Sequence, residues 1–237
     1  METLPEQTLS EPEISVIVPV YREEEIINAF VRRLTKIFPP DRHEIIIIDG
    51  DPGQITMSAL HVPGISGFTS GSGRGKQMNA GAAKARGSIL LFLHADTTLP
   101  KNAPELIQTE LRNQELVGGA FSLGIESCRW SLKLVEAAAN LRTAVTRVPY
   151  GDQAIFIRKE KFFENKGFKD TPIMEDLELM TRLKKMREKI VILPDKAMTS
   201  ARRWEREGVV RGTLRNWLIR ILYHLGVSPQ ILYRMYR

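Results

Sequence analysis

The feature that most constrains the fold is a short, unbroken apolar run near the middle of the chain, residues 89–93. Its length favours a strand, and its lack of polar alternation predicts burial on both faces, as in a parallel sheet covered by helices. The chain turns polar directly afterwards, at His94 and Asp96. Ligands of open α/β sheets bind beyond the carboxyl ends of the strands, so Asp96 could hold a divalent cation that carries a phosphorylated substrate. The alternative is that Asp96 only caps the following turn.

Two more predicted strands, residues 14–20, rich in β-branched residues, and residues 44–48, flank a helical pattern over residues 26–38, and the second strand ends at Asp49. Strand, helix and strand in this order form a βαβ unit, whose two strands are parallel. We therefore predict an α/β fold with a mostly parallel sheet flanked by helices. Its ligand-binding edge would carry Asp49 and Asp96.

A glycine-rich segment, residues 71–81, contains Arg74 and Lys76. Glycines let the backbone approach a ligand closely, and the two cations suit a phosphate or a base. The segment is not a phosphate-binding P-loop, because that motif would need glycine at Ser70 and Ser or Thr at Gln77. The spacing of the dinucleotide fingerprint fails as well. The alternative is a flexible turn before a helix.

Two further helical patterns bear on the site. Glu175 and Asp176 stand in the first turn of one predicted helix, where they could serve chemistry or could only complement the helix dipole. The other pattern is an apolar stripe at helical spacing, which predicts a helix packed on the core. Its members are Trp130, Leu134, Ala137, Ala138, Leu141 and Val145.

Cysteine usage and the sequence of the amino terminus bear on the cellular compartment of the protein. The 237 residues include one cysteine, Cys128, which excludes an intrachain disulfide and suits the reducing cytoplasm. Residues 1–13 lack the basic and apolar regions of a signal peptide, and we predict a disordered tail there. No run of 18 apolar residues exists, so no membrane span is expected.

The net charge of +6 resides in the last part of the chain, because residues 200–237 hold eight arginines against two glutamates. Such concentration in one terminal element argues against a general nucleic-acid binder. An apolar stripe over residues 214–225, with Trp217 and Tyr223, makes the segment a basic amphipathic helix. This pattern suits peripheral attachment to an anionic inner membrane face. The alternative is a helix that packs on its own domain as a lid or brace.

In combination, five motifs resemble the family 2 glycosyltransferases with the GT-A fold, over residues 14–204. Two short motifs at residues 150–153 and 200–208 are similar to a bacterial subgroup of small, soluble members. The resemblance implies a GT-A domain over residues 14–204, followed by a helical appendage over residues 205–237. The five motifs are Val-Pro-Val-Tyr-Arg-Glu at 18–23, Asp49, Gly-Lys-Gln-Met-Asn-Ala-Gly at 75–81, Leu-His-Ala-Asp at 93–96, and the Glu175–Asp176 pair.

The resemblance implies transfer of a sugar from a nucleoside-diphosphate sugar, UDP-linked in most of the family, to an acceptor hydroxyl with inversion. Asp96 would bind Mn²⁺ or Mg²⁺ between the two phosphates, and Asp176 would be the general base. Membrane attachment would suit a lipid-linked or small hydrophobic acceptor. The residues implied in substrate binding are Pro19, Tyr21, Glu23, Asp49, Arg74, Lys76, His94, Asp152, Glu175, Arg203 and Trp204.

The resemblance also gives some of these residues separate roles. Tyr21, Glu23 and Asp49 would line the nucleoside pocket, with Asp49 accepting hydrogen bonds from the base. Arg74 and Lys76 would hold the base or the diphosphate. Should Asp176 prove not to be the base, the neighbouring carboxylates become the candidates.

Two departures from the family pattern qualify the resemblance. His94 replaces the first aspartate of the usual Asp-x-Asp, which could weaken the binding of the metal or of ribose. Arg203 and Trp204 would close over the diphosphate or the acceptor, but Ser200 replaces the glutamine of the Gln-x-x-Arg-Trp motif of processive members. We therefore expect a non-processive enzyme.

Two alternatives stay open at this point. A nucleotidyltransferase also binds a nucleotide with a metal on a similar sheet, but its glycine-rich loop follows the first strand directly, whereas residues 71–81 come later. A non-catalytic, nucleotide-sugar-binding membrane adaptor would share the binding residues. Intact Asp49, Asp96 and Asp176 argue against such a loss of turnover.

Overall fold

The computed structural model describes residues 11–236. The tail predicted over residues 1–13 therefore lies mostly outside the described residues. Its end is held in place, because Pro12 is buried and the Glu13 N–H donates to the carbonyl of Arg42 at 2.8 Å. The Glu13 carboxylate also pairs with the Arg42 guanidinium at 3.0 Å.

A single sheet with helices on both faces forms the framework of the described chain. Its strands are β1 (Ile14–Val20), β2 (His43–Asp49), β3 (Ser66–Thr69), β4 (Ile89–Phe92), β5 (Thr97–Thr98), β6 (Leu116–Glu126), β7 (Phe156–Arg158) and β8 (Lys189–Ser200).

The strand order is β3-β2-β1-β4-β7-β6-β8-β5. The first four strands in this order run parallel, and β6 is parallel to β8. β7 is antiparallel to both of its neighbours, and β5 is antiparallel to β8. The apolar run of residues 89–93 contains β4, which is fully buried beside β1. The predicted mixed, mostly parallel α/β fold is thus confirmed.

A short loop without a helix joins β4 to β5, a 3₁₀ turn at Gly151–Gln153 precedes β7, and ten α-helices lie elsewhere in the described chain. They are α1 (Ile27–Ile37), α2 (Ile55–Ala59), α3 (Arg74–Lys84), α4 (Ala103–Leu111), α5 (Trp130–Thr146), α6 (Lys159–Glu164), α7 (Glu175–Lys185), α8 (Arg202–Glu207), α9 (Val209–His224) and α10 (Pro229–Tyr236).

The core has two layers because successive residues of a strand point to opposite faces of the sheet. On one face Val18 belongs to a buried cluster with Phe30 of α1 and Ile107 of α4. On the other face Ile17 belongs to a cluster with Met78 of α3, together with residues of α7. Burial on both faces explains why these central strands show no polar alternation.

The prediction that the apolar stripe of α5 packs on the core is wrong. Trp130, Leu134 and Leu141 are 75%, 59% and 67% exposed. The helix instead rests on β6 through Leu132 and through Glu136, whose carboxylate accepts the N–H of Ile125 at 2.9 Å. Helical spacing shows which residues share a face, but not whether that face has a partner.

The carboxyl-terminal helices also leave an apolar face uncovered. Ile219 of α9 is buried in a small cluster with Ile173 and Leu232 of α10. Leu214 and Trp217, on the predicted stripe, are 65% and 52% exposed. Across residues 11–236, no helix combines the length and apolarity needed to cross a membrane.

Candidate functional site

A cavity of about 1240 Å³ opens beyond the carboxyl ends of β1 and β4. Its walls come from the first turns of α3 and α7, from the 3₁₀ turn, and from helices α5, α8, α9 and α10. This is the sheet edge at which the sequence predicts ligand binding. The predicted site residues that line it are Pro19, Tyr21, Glu23, Arg74, His94, Asp96, Asp152, Asp176, Arg203 and Trp204.

Two other predicted residues do not line the cavity directly. Lys76 is exposed and pairs with the exposed Asp170 at 3.3 Å. Glu175 is buried and pairs with Arg74 at 3.2 Å, so it orients an arginine that does face the cavity. We therefore assign Glu175 a positioning role.

Asp49 is fully buried and is absent from the cavity wall. Its two carboxylate oxygens accept the backbone N–H groups of Asp51 at 2.9 Å and of Met57 at 3.2 Å. In this conformation Asp49 orders the loop after β2. Asp51, which the sequence analysis did not assign, pairs with Arg22 and keeps its second oxygen buried without a hydrogen-bond partner.

The glycine-rich segment is mainly the start of α3, which begins at Arg74. Gln77, buried within it, donates its amide N–H groups to the carbonyls of Val20 at 2.7 Å and Ile48 at 2.8 Å. It thereby ties together the ends of β1 and β2. Gly75 is needed for packing, since a Cβ there would lie 2.8 Å from a backbone carbonyl oxygen. Gln77 and Gly75 therefore fix the position of α3 at the wall of the cavity.

The innermost part of the site joins Asp176 to the 3₁₀ turn. The Gly151 N–H donates to Asp176 Oδ2 at 2.6 Å, and the Leu177 N–H donates to Oδ1 at 2.7 Å. A Cβ on Gly151 would lie 3.1 Å from His94 Nε2 and 3.2 Å from Asp176 Oδ2, so any larger residue there would crowd both groups. The backbone therefore fixes the carboxylate at the start of α7 beside the end of β4.

Two groups around this point have strongly shifted pKa values. Burial, and then the positive charge of Arg74, lower the pKa of His94 to about 4, so its imidazole is neutral at neutral pH. Burial, and then the negative charge of Asp176, raise the pKa of Asp152 to about 6. Opposed shifts of this kind in one cleft are a common property of functional sites.

Asp96 fits a divalent cation that arrives with a nucleotide. Within residues 11–236, no three His, Cys, Asp or Glu side chains form a metal-binding group by themselves. Hard cations such as Mg²⁺ often use one or two protein carboxylates and take their other ligands from phosphates and water. Asp96 is exposed in the cavity, and burial followed by the charge of Asp96 raises the pKa of Glu23, so the two carboxylates lie within electrostatic range of each other.

Arg142 of α5 and Arg220 of α9 are site residues that the sequence analysis missed. Both stack on the ring of Tyr150, with guanidinium carbons 3.6 and 4.8 Å from the ring centroid. The buried Nε of Arg142 has no hydrogen-bond partner. Leaving such a group unsatisfied costs about 1–3 kcal/mol. In the sequence, the position of the charged Arg142 beside the apolar stripe of α5 could have indicated its role in the site.

The cavity as a whole is suited to anions. Its arginines outnumber its carboxylates, even before a cation is added. The lining arginines are Arg74, Arg142, Arg202, Arg203, Arg206 and Arg220, and the carboxylates are Glu23, Asp96, Asp152 and Asp176.

Comparison with known families identifies a match for this region. The model described as Glycosyl transferase family 2 matches residues 15–151, more than half of the chain. The match runs from β1 to the 3₁₀ turn. It favours the glycosyltransferase interpretation over the nucleotidyltransferase alternative.

Two curated relatives are similar at low identity. Over 143 residues the chain is 24% identical to the probable glycosyltransferase YdaM of Bacillus subtilis, covering 56% of this chain and 32% of that protein. Over 151 residues it is 25% identical to the undecaprenyl-phosphate 4-deoxy-4-formamido-L-arabinose transferase of Pseudomonas fluorescens, covering 58% and 44%. The aligned part is thus less than half of either relative.

Two solved structures share the fold. The mannosyltransferase PcManGT from Pyrobaculum calidifontis, in complex with GDP-Man and Mn²⁺, has a TM-score of 0.68 at 20% identity, covering 91% of this chain and 62% of that chain. TarS 1-349 of S. aureus, in complex with UDP, has a TM-score of 0.59 at 20% identity, covering 79% and 60%. This likeness confirms the predicted GT-A-like architecture.

Proposed function

Because the chain belongs to glycosyl transferase family 2, we propose that it transfers a sugar from a nucleoside-diphosphate sugar to an acceptor hydroxyl. The observation that carries the proposal is the cavity beyond β1 and β4. It brings Asp96 and Asp176 together with an excess of arginines inside the GT-A-like fold. Of the possible donors we propose a UDP-sugar, while the ligands named for the two solved neighbours, UDP and GDP-Man, define the range to test.

The donor would lie along the ends of β1 and β4. Tyr21 and Glu23 would flank the nucleoside, and Arg74 and Arg203 would face the diphosphate. Asp96 would hold Mn²⁺ or Mg²⁺, which supplies charge neutralisation for the leaving nucleoside diphosphate. The Mn²⁺ in the PcManGT complex supports this choice of cation.

Asp176 would remove the acceptor proton. A carboxylate has about four lone-pair sites. The two backbone N–H groups that hold Asp176 therefore leave capacity for an incoming hydroxyl. Attack of that hydroxyl on the anomeric carbon breaks the bond to the diphosphate in a single displacement, which inverts the anomeric centre. His94, neutral beside it, could accept or donate a hydrogen bond to the sugar without adding charge.

The acceptor would be lipid-linked or otherwise hydrophobic, and one sugar would be added per encounter. The exposed stripe of α9, with its flanking arginines, would attach the protein to the anionic inner face of the cytoplasmic membrane. The named acceptor chemistry of the Pseudomonas relative, an undecaprenyl phosphate, is consistent with this class.

The test is a thermal-shift and turnover screen of UDP- and GDP-sugars, with and without Mn²⁺. A ligand that binds only the folded state raises the melting temperature. We expect a stabilising donor whose effect needs the cation, and we expect Asp96→Ala to lose both that effect and turnover. Full activity in excess chelator would refute the metal assignment. Donor binding without turnover, across a broad acceptor panel, would instead favour the adaptor.

A further inference from the structure

The acceptor side of the cavity contains two arginines that lack acidic partners. Arg74 and Arg203 pair with glutamates at 3.2 and 3.8 Å. By contrast, no carboxylate of the described chain forms an ion pair with Arg142 or Arg220. Arg142 donates to neutral oxygens only, and both guanidiniums stack on Tyr150. Asp152 and Asp176 act on Arg142 through space, and Arg220 acts on Asp152, but no carboxylate within residues 11–236 pairs with either guanidinium, so both can bind an anionic ligand at the cavity wall.

The geometry of these arginines suits phosphate. A guanidinium offers N–H groups in a fixed planar fork that matches phosphate oxygens in pairs. Contact with the Tyr150 ring restricts the orientation of each guanidinium before a ligand arrives. Because the pair joins α5 to α9, it also sits where these helices form the outer wall of the cavity.

An apolar channel lies beside the arginine pair on the same two helices. Leu134 and Ala138 of α5 and Leu214 and Trp217 of α9 line the same cavity. These side chains are exposed, so their apolar surface is not covered by another part of the described chain. A hydrocarbon chain lying there would be removed from water, which is favourable in proportion to the apolar area buried.

On the inner side, the arginine pair adjoins the proposed base. Tyr150 directly precedes Gly151, whose N–H donates to Asp176. The charges of Arg142 and Arg220 also act on Asp152, the next residue of this turn. The cavity therefore presents, in order, a carboxylate, two guanidiniums and an apolar channel.

From this order we infer that the acceptor is an amphiphile in which a phosphate joins a hydroxyl-bearing head to a hydrocarbon chain. Arg142 and Arg220 bind its phosphate, and the α5–α9 channel takes the chain. The inference rests on the proposed function, because it places the hydroxyl of the head against Asp176. It assigns the acceptor-phosphate site to residues on two helices, one of which lies beyond the family match.

The test uses three matched probes on the full chain, measured by calorimetry below their micelle concentrations. Dihexanoyl phosphatidylglycerol has head, phosphate and chains; dihexanoylglycerol has the chains but neither phosphate nor head; glycerol 3-phosphate has head and phosphate but no chains. We expect the first to bind at least tenfold more tightly than either of the others. Equal binding of glycerol 3-phosphate and the complete lipid would overturn the lipid source. Equal binding of dihexanoylglycerol would overturn phosphate recognition.

Variants then locate the site. We expect Arg142→Ala and Arg220→Ala each to weaken phosphatidylglycerol binding by about tenfold or more, as for loss of a charge-assisted hydrogen bond. Binding of dihexanoylglycerol should not change. Arg33→Ala, which removes an exposed charge from α1 on another face, is the matched control. If both cavity variants fold and bind the complete lipid like wild type, the assignment is wrong; Arg220→Ala decides the matter if Arg142→Ala does not fold.

Nucleotide binding separates this inference from the proposed function. Stabilisation by UDP or GDP with Mn²⁺ uses the donor side, so it should persist in both arginine variants. Absence of nucleotide binding in the wild type would defeat the proposed function whatever the lipid result. Normal nucleotide binding with unselective lipid binding would defeat only the acceptor assignment.

Discussion

Replacement of Asp152 by a neutral side chain should stabilise the fold at neutral pH. Its side chain lies in the cavity beside the negative charge of Asp176. Burial and this charge raise the pKa of Asp152, and the positive charges of Arg142, Arg74 and Arg220 lower it only in part. The pKa of its carboxyl rises from 3.8 to about 6 on folding. The folded state therefore binds more protons than the unfolded state between these values. Below pH 3.8 the Asp152 carboxyl is mostly protonated in both states and costs the fold little. The free energy of unfolding then falls as the pH rises through about 6.

The magnitude follows from the shift in the Asp152 pKa. A difference of about two units corresponds to about 3 kcal/mol. Because the side chain is partly open to the cavity, we take about 2 kcal/mol as the expected gain for Asp152→Asn at pH 8. For a chain of this size that gain raises the melting temperature by roughly 4–8 °C.

The assay is thermal unfolding of wild type and Asp152→Asn from pH 4 to pH 8. The difference in melting temperature should be largest at pH 8 and should mostly disappear at pH 4. Asp41→Asn, in the exposed turn before β2, is the matched control and should give no such trend. A difference that is absent at pH 8, or that is the same at every pH, would refute the electrostatic explanation.

Two further substitutions test the chemistry and the framework. Asp176→Asn is nearly isosteric and should keep nucleotide-sugar affinity while lowering turnover by roughly 10²–10⁴, as measured by initial rates; near-normal turnover would make Asp176 only a helix-start carboxylate. Gln77→Ala should lower the free energy of unfolding by about 1–3 kcal/mol in denaturant titrations, because the Val20 and Ile48 carbonyls each lose a buried donor, although Val20 keeps the Gly50 N–H. An unchanged unfolding midpoint would show that water replaces the amide.

Local patterns predict the central strands well because both faces of these strands are covered by other parts of the chain. β1, β2 and β4 are buried on both faces, so their sequences are mostly apolar without regular polar alternation, and their ends are marked by polar residues. The position of the site follows from where β1 and β4 end. The residues of those ends, including Asp96, are therefore accessible to sequence reasoning.

Contacts between distant segments set the limits of such reasoning. Arg142 and Arg220 meet at Tyr150 through the packing of α5 and α9, and nothing local in either helix encodes the meeting. The stripe of α5 has the same periodicity whether it faces a core or solvent. Asp49 ends a strand as predicted, yet its carboxylate turns to backbone N–H groups rather than to the cavity. These differences depend on how the chain packs in three dimensions, which the spacing of residue types does not reveal.

The construction of the cavity from two separate sources has a consequence for how such a protein can diversify. The residues proposed to face the donor come from β1, α3 and β4, elements that also form the buried core. The residues proposed to face the acceptor come from α5 and α9, many of whose large apolar side chains are exposed. Substitution of these exposed side chains, unlike that of the buried Leu132 and Ile219, would cost little folding free energy. On the proposed function, selection could therefore vary the recipient of the sugar while the donor side stays fixed.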